Sequence, residues 1–173
     1  MAESRKYSAM MDYADLFEYF KSERAKLLDA FRKLPYEEFA RNHELSFYSI
    51  KDVFVHTINV EDRWLHYRYH GLADPPFEPE KYTSLESILK YVGVTDAKTN
   101  NLFESITNED LKNPVRKLDD SKVYSLEQIL YHIPIENIHH YGEIFAEFWN
   151  LNIDAPYLSY IRYSTERMHD RNK

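Results

Sequence analysis

Apolar residues recur along this chain at three- and four-residue steps, and those steps mark out four long segments. In Tyr13 to Leu34, the residues Leu16, Phe20, Leu27, Phe31 and Leu34 gather on one side and charge on the other, the signature of an amphipathic helix. Pro35 closes it. The second segment starts at Ser49, an N-cap with Asp52 three residues on, and stops at Gly71, a residue suited to a left-handed terminus. Its inward stripe is Val53, Thr57, Val60 and Trp64. His56 lies one helical step from Val53 and Val60, so it is expected to point inward as well. Ser84 caps a third segment with Glu86 and Ser87 in the first turn, and Gly93 weakens its middle. The fourth runs from Ser125 to about Asn150, with Leu126, Ile129, Ile133, His140, Ile144 and Phe148 sharing a face.

The stretches between are read from breakers and charge. The proline- and acid-rich run from Ala73 to Ser84 predicts a loop. Val115 to Tyr124 predicts a small strand or hairpin, and the charged tail "ERMHDRNK" is expected to fray. Pro134 cannot donate to the Leu130 carbonyl, so a kink or loosened turn is expected there. Four long helices, with one substantial loop between the second and third, make an all-α four-helix bundle. The length favours one domain over residues 1–173.

Composition narrows the function. A net charge of −7 argues against nucleic acid as a partner, because phosphate binding needs a basic surface. No apolar run approaches the ~20 residues that span a bilayer, and the first twenty residues lack the apolar core of a secretory signal, so a cytoplasmic location is the expectation. There is no cysteine, which excludes disulfides, thiolate ligands and a cysteine nucleophile. Aromatic residues make up 16% of the chain, with 15 tyrosines. They are read as packing at the core edge and at a homodimer interface, where aromatics are enriched.

The chemistry concentrates in "YHIPIENIHHYGEIFAEFW", Tyr131 to Trp149, an apolar helix interrupted by acids and histidines. Glu136 and His140 are four apart, so their side chains stack on one face. Helical bundles use inward carboxylates and imidazoles of this kind to build metal sites. A third ligand would come from a facing helix, and His56 is the inward candidate. Two histidines and a carboxylate leave coordination positions open, which is the catalytic type of site. The plainer reading stands beside this: a Glu–His pair four apart is common on helix surfaces, and an inward histidine is often a hydrogen-bonded core residue. The other histidines fit less well. His70 lies about 21 Å along the helix from His56, and His66 and His70 approach the loop, where solvation is expected. His132 precedes the kink as a supporting or surface residue. His139 is about 100° around the helix from His140, free to bond a ligand or a partner. His43 and His169 carry no signal. Glu61, five residues after His56, is a doubtful general base.

Two stretches carry a family resemblance. "YSIKDVFVHTINVEDRW" resembles the S-I-x-x-x-x-x-H-x-x-x-x-E-x-W element of the DinB/YfiT-like metalloenzyme superfamily, and "HIPIENIHHYGEIFAEF" resembles its H-x-x-N-H-x-x-H-H-R-G-Q-I element. "DAPYLSYIRY" is similar to the common D-x-x-x-Y ending. The resemblance implies a four-helix bundle, often dimeric, with a divalent metal held by His56, Glu136 and His140. Histidine is commoner where Glu136 stands, and Arg and Gln are usual where this chain has Tyr141 and Glu143. Glutamate at the middle ligand position is similar to the mycothiol-dependent maleylpyruvate isomerase branch. The implied activity is a transferase or isomerase that uses a low-molecular-weight thiol on zinc, with nickel or iron as other metals for the same donors. The alternatives are a metal-dependent hydrolase and a non-catalytic, stress-related metal-binding dimer.

Overall fold

The computed structural model describes residues 9–114 and 123–171, and side chains within 13–114 and 123–167. Helix α1 spans Ala9–Phe31 and the short α2 Tyr36–Ala40. Helix α3, Ile50–Asp62, continues directly into a π-helical turn over Arg63–Arg68. A 3-10 turn at Pro79–Lys81 interrupts the loop that leads to α4, Leu85–Ser105. Another at Asp110–Lys112 follows, then α5, Leu126–Asn150, and α6, Tyr160–Arg171. The four predicted helices are α1, α3, α4 and α5, and the fold is all-α, with no strand among the described residues. The hairpin expected over 115–124 falls mostly outside them; Pro114 and Ser125, at its two sides, form an isolated bridge.

Side chains set the helix ends as the sequence suggests. Ser49 accepts from the Asp52 N–H at 3.0 Å. Ser84 with Ser87, and Ser125 with Gln128, form reciprocal capping boxes, which satisfy donors the first turn would otherwise leave open. Gly71 adopts φ 69°. The Leu72 N–H then reaches the Tyr67 carbonyl at 2.9 Å and the Gly71 N–H that of Arg68 at 3.0 Å, a Schellman closure that needs a residue tolerant of positive φ. Three boundaries differ from expectation. Pro35 both follows α1 and opens α2, since its fixed φ suits the start of a helix. The π turn is not visible in periodicity, because i→i+5 bonding changes the step only locally. The tail is helical to Arg171, with Arg162 and Glu166 paired at 2.8 Å one turn apart; residues 172–173 lie outside the description.

Helix α3 is the central element. Every residue from Ile50 to Asp62 is buried except Asp52 and His56, and it packs against α5, α4 and α2. One apolar cluster gathers Leu27, Phe31, Phe39, Phe54, Ile58, Ile144 and Phe148. A second gathers Phe17, Trp64, Leu65, Leu126, Ile129 and Ile133. Full burial of each such side chain contributes ~1.5–3 kcal/mol. Helix α5 runs through both clusters and continues through the buried Pro134, so the loss of one backbone donor does not end it. Its polar positions, Glu136, Asn137 and His140, fall in sequence between Ile133 of one cluster and Ile144 of the other.

A buried ionic group ties α1 to α3 and α4. Arg24 donates to Glu61 and, at 2.8 Å, to Asp96, while the Thr99 hydroxyl donates to Glu61 at 2.6 Å. Burial works against the Arg24 charge, but Glu61 and its other neighbours hold the guanidinium above its ordinary pKa. Burial likewise pushes Glu61 up, and Arg24 and Thr99 bring it below the usual carboxylate range.

Candidate metal centre

His56 from α3 and Glu136 and His140 from α5 converge, and each offers a ligand atom within 4.8 Å of the other two. The convergence follows from local geometry. His56 is a polar gap in the buried surface of α3, and the two α5 residues stack at i and i+4 opposite it. The His56 and His140 rings lie 4.8 Å apart, nearly perpendicular.

The surroundings orient these groups. His140 Nδ1 lies 3.2 Å from Glu143 Oε2. Glu143 is itself fixed by the Ser46 N–H at 2.5 Å and the Ser46 hydroxyl at 2.7 Å. Burial raises the Glu143 pKa, and the Ser46 and His140 hydrogen bonds more than offset that, so the carboxyl sits below its ordinary value. In the tautomer whose Nδ1–H donates to Glu143, His140 turns its Nε2 lone pair toward Glu136 Oε2 at 3.5 Å. Two acceptors then face each other, an arrangement relieved by a second proton or by a cation between them. A histidine whose second nitrogen donates to a carboxylate is the usual form of a metal-ligating imidazole.

His56 is held by aromatic rings. Phe47 stacks on it at 3.8 Å, and Phe77 from the loop after the π turn meets it edge-on at 5.6 Å. Burial, with smaller contributions from His140 and Arg63, pushes its pKa down to about 4, so the imidazole is neutral near pH 7 with a lone pair free to coordinate. The donor set and its burial therefore fit a divalent ion.

Matching the family models, residues 4–153 of the chain fit the DinB family. The chain belongs to the DinB family. No curated protein matches the chain. Two departures from the DinB-type motif now have a physical reading. Glu143 is the carboxylate that orients His140, and Tyr141 is buried against Phe20 rather than facing the site.

The remaining sequence-named residues separate clearly. Glu61 is buried with Arg24 and Thr99, so both oxygens are engaged and it is no general base. His66 is not solvated as expected: packing of the π turn against α4 half-buries it and sets Nε2 3.2 Å from the Thr99 hydroxyl. His70 is exposed, as expected. His132 packs edge-on against Trp64 at 4.9 Å, and His139 is exposed beside His140. His43, which carried no signal, is buried between the Glu38 carbonyl at 2.8 Å and Glu147 at 2.5 Å. The side chain of His169 lies outside the described residues. Sequence reasoning passed over Ser46, Phe47 and Phe77 entirely. The one available signal concerned Glu143, which stands three residues after His140 and so on the same helical face.

Proposed function

We propose that this DinB-family chain is a divalent-metal enzyme in which His56, Glu136 and His140 hold the ion and leave room for a small molecule. The observation that carries the reading is the convergence of the three side chains within 4.8 Å. Two imidazoles and one carboxylate suit zinc first, with nickel and iron accepting the same donors. When bound, such an ion acts as a Lewis acid and favours the deprotonated form of a thiol or water beside it. Glu143 fixes the His140 ring, while Phe47 and Phe77 wall His56 and limit water. The chain has no cysteine, so a thiol would arrive on a small molecule, and a low-molecular-weight-thiol transferase or isomerase is the reading we favour. A hydrolase would need a free general base, and Glu61 is committed to Arg24 and Thr99.

The chain acts as a homodimer in this reading, supported by the exposed apolar stripe Tyr131, Ile135, Ile138 and Trp149 along α5. Among the described residues no helix is long and apolar enough to cross a membrane.

Elemental analysis followed by calorimetric titration with small thiols tests the proposal. One equivalent of metal and saturable thiol binding are expected. Glu136→His should keep the metal and tighten thiol binding, because the site becomes more positive, and His140→Ala should lose both. A chain that takes up no divalent ion leaves the reading without support. A metal-loaded chain that binds no thiol rules out the transferase and leaves the hydrolase or a non-catalytic metal site.

A further inference from the structure

A cavity of about 350 Å³ is lined by Asn59 and Asp62 from α3, by Phe77 and Tyr82 from the loop that follows the π turn, and by Tyr91 from α4. Phe77 is common to this cavity and to the metal centre, because its ring also meets His56 edge-on at 5.6 Å. The loop wall is tied to the helices beside it. The Lys51 ammonium donates to the Pro79 carbonyl and the Tyr36 hydroxyl to that of Tyr82, each at 3.2 Å.

The polar groups of the cavity are acceptors that the folded chain does not saturate. Asn59 and Asp62 stand three residues apart, on one face of α3, and are only 6% and 5% exposed. Asp62 Oδ1 takes the Lys98 ammonium at 2.8 Å, while the Tyr91 hydroxyl reaches Oδ2 in a long bond of 3.4 Å. A carboxylate has room for about four donors. The Asn59 side-chain oxygen receives no donor among the described residues, and a buried acceptor left open is costly. Lys81, the cation among the described lining residues, is taken by Glu78, which counts against an anionic occupant.

The walls favour a cation too. Tyr82 and Tyr91 stack with ring centres 5.0 Å apart and planes 19° apart, and aromatic faces attract positive charge. The net charge of −7 draws cations toward the chain and repels anions. A dry cavity of roughly 150 Å³ accommodates a benzene ring, so this one has room for a ring with a short arm.

We infer that this cavity binds a small organic amine, its ammonium donating to Asp62 and Asn59 and its apolar body lying against Phe77, Tyr82 and Tyr91. An ammonium brings three donors and no acceptor, the complement of two open acceptors. Through Phe77 the occupant touches a wall of the metal centre. Its role as a substrate rests on the metal reading, whereas its binding does not.

The test titrates phenethylamine, its neutral counterpart phenethyl alcohol and the anion hydrocinnamate into the metal-free wild-type protein at neutral pH, then repeats the series with zinc. The amine is expected to bind about tenfold more tightly than either of the others, since its contact to a buried carboxylate is charge-assisted. Asp62→Asn keeps the shape of the side chain and removes its charge. It should weaken the amine by about tenfold and leave the alcohol nearly unchanged, a split that a merely structural role of Asp62 would not produce. Asn59→Leu should weaken the amine by a smaller factor. An amine that fails to bind the wild type, or binds no better than the alcohol or the anion, overturns the inference. So does an Asp62→Asn protein that keeps the wild-type preference. Should circular dichroism show that Asp62→Asn does not fold, the wild-type preference and Asn59→Leu decide. If zinc does not bind yet the amine binds through Asp62, only the metal reading falls. If zinc binds and the amine does not, only this inference falls.

Discussion

Helix α3 carries two inward polar residues five positions apart, the buried Glu61 and the half-buried His56, and they belong to opposite kinds of cluster. Around Glu61 the charges are matched: Arg24 and Thr99 occupy its oxygens, and Asp96 takes the other side of Arg24. Around His56 they are not. Its ring has aromatic walls, and across from it His140 Nε2 and Glu136 Oε2 lie 3.5 Å apart. Burial alone therefore does not mark a functional residue. What separates the two clusters is whether the folded chain supplies each group with its complement. Glu61 finds its complement within the chain, whereas the His56 cluster is a converging donor set of the kind that holds a cation.

The comparison breaks most readily at Glu61. Glu61→Leu strands a buried guanidinium and is expected to cost ~3–5 kcal/mol of unfolding free energy, measured by urea denaturation, while the double variant Arg24→Met, Glu61→Leu recovers most of it. At the other cluster the sign reverses, because removing a charge costs little and adding a cation stabilises. Zinc at one hundred times its dissociation constant should raise the stability of the wild type by ~2.7 kcal/mol, read as a higher Tm. Glu136→Gln should leave the metal-free Tm nearly unchanged and abolish most of the zinc-induced rise.

Acid separates the clusters too. The Glu61 carboxyl sits below its ordinary value, so its contribution is complete above about pH 4.3, the unfolded value, and is lost as pH falls through the lower folded one. At the other cluster it is metal affinity that acid removes, as pH falls toward the His56 value of about 4 and protons compete for that imidazole. Denaturation and zinc titration followed across pH 3–8 check both. A subtler effect is expected at Glu143. Glu143→Gln keeps a side chain of the same size but loses the carboxylate that receives the His140 N–H, and should weaken zinc by ~10–100-fold. The smallest effect on either cluster belongs to Ile135→Lys with Ile138→Lys. These changes lie on the exposed face of α5 and should turn the expected homodimer into a monomer in light scattering, with zinc affinity unaltered.

Much of this was legible in the chain before folding, and the part that was not has a common cause. Helix periodicity and caps placed α1, α3, α4 and α5, since Ser49, Ser84, Ser125 and Gly71 act on neighbours a few residues away. The pairing of Glu136 with His140 is equally local, and His56 followed from its place beside Val53 and Val60. Contacts between distant segments were out of reach. Ser46 meets Glu143 from 97 positions away, Phe77 reaches His56 from a loop that reads only as irregular, and His43 finds Glu147 across more than half the chain. The role of Glu61 failed for the same reason: nothing near it announces Arg24. The π turn escaped because one altered turn leaves the hydrophobic stripe on either side intact.

The placement of the ligands has a topological consequence. His56 lies before the loop of Pro75 to Glu80, and Glu136 and His140 lie beyond it, with all of α4 between. An ion at this centre is then a reversible cross-link that closes a long loop, and the entropy it removes from the unfolded chain grows only with the logarithm of that loop's length. A chain cut once in the Pro75–Glu80 stretch would still be tied together at the metal, one fragment giving an imidazole and the other an imidazole and a carboxylate. Chelation would release that tie and leave the two apolar clusters to hold the pieces, so the cut protein should melt at a lower temperature with chelator present than without it.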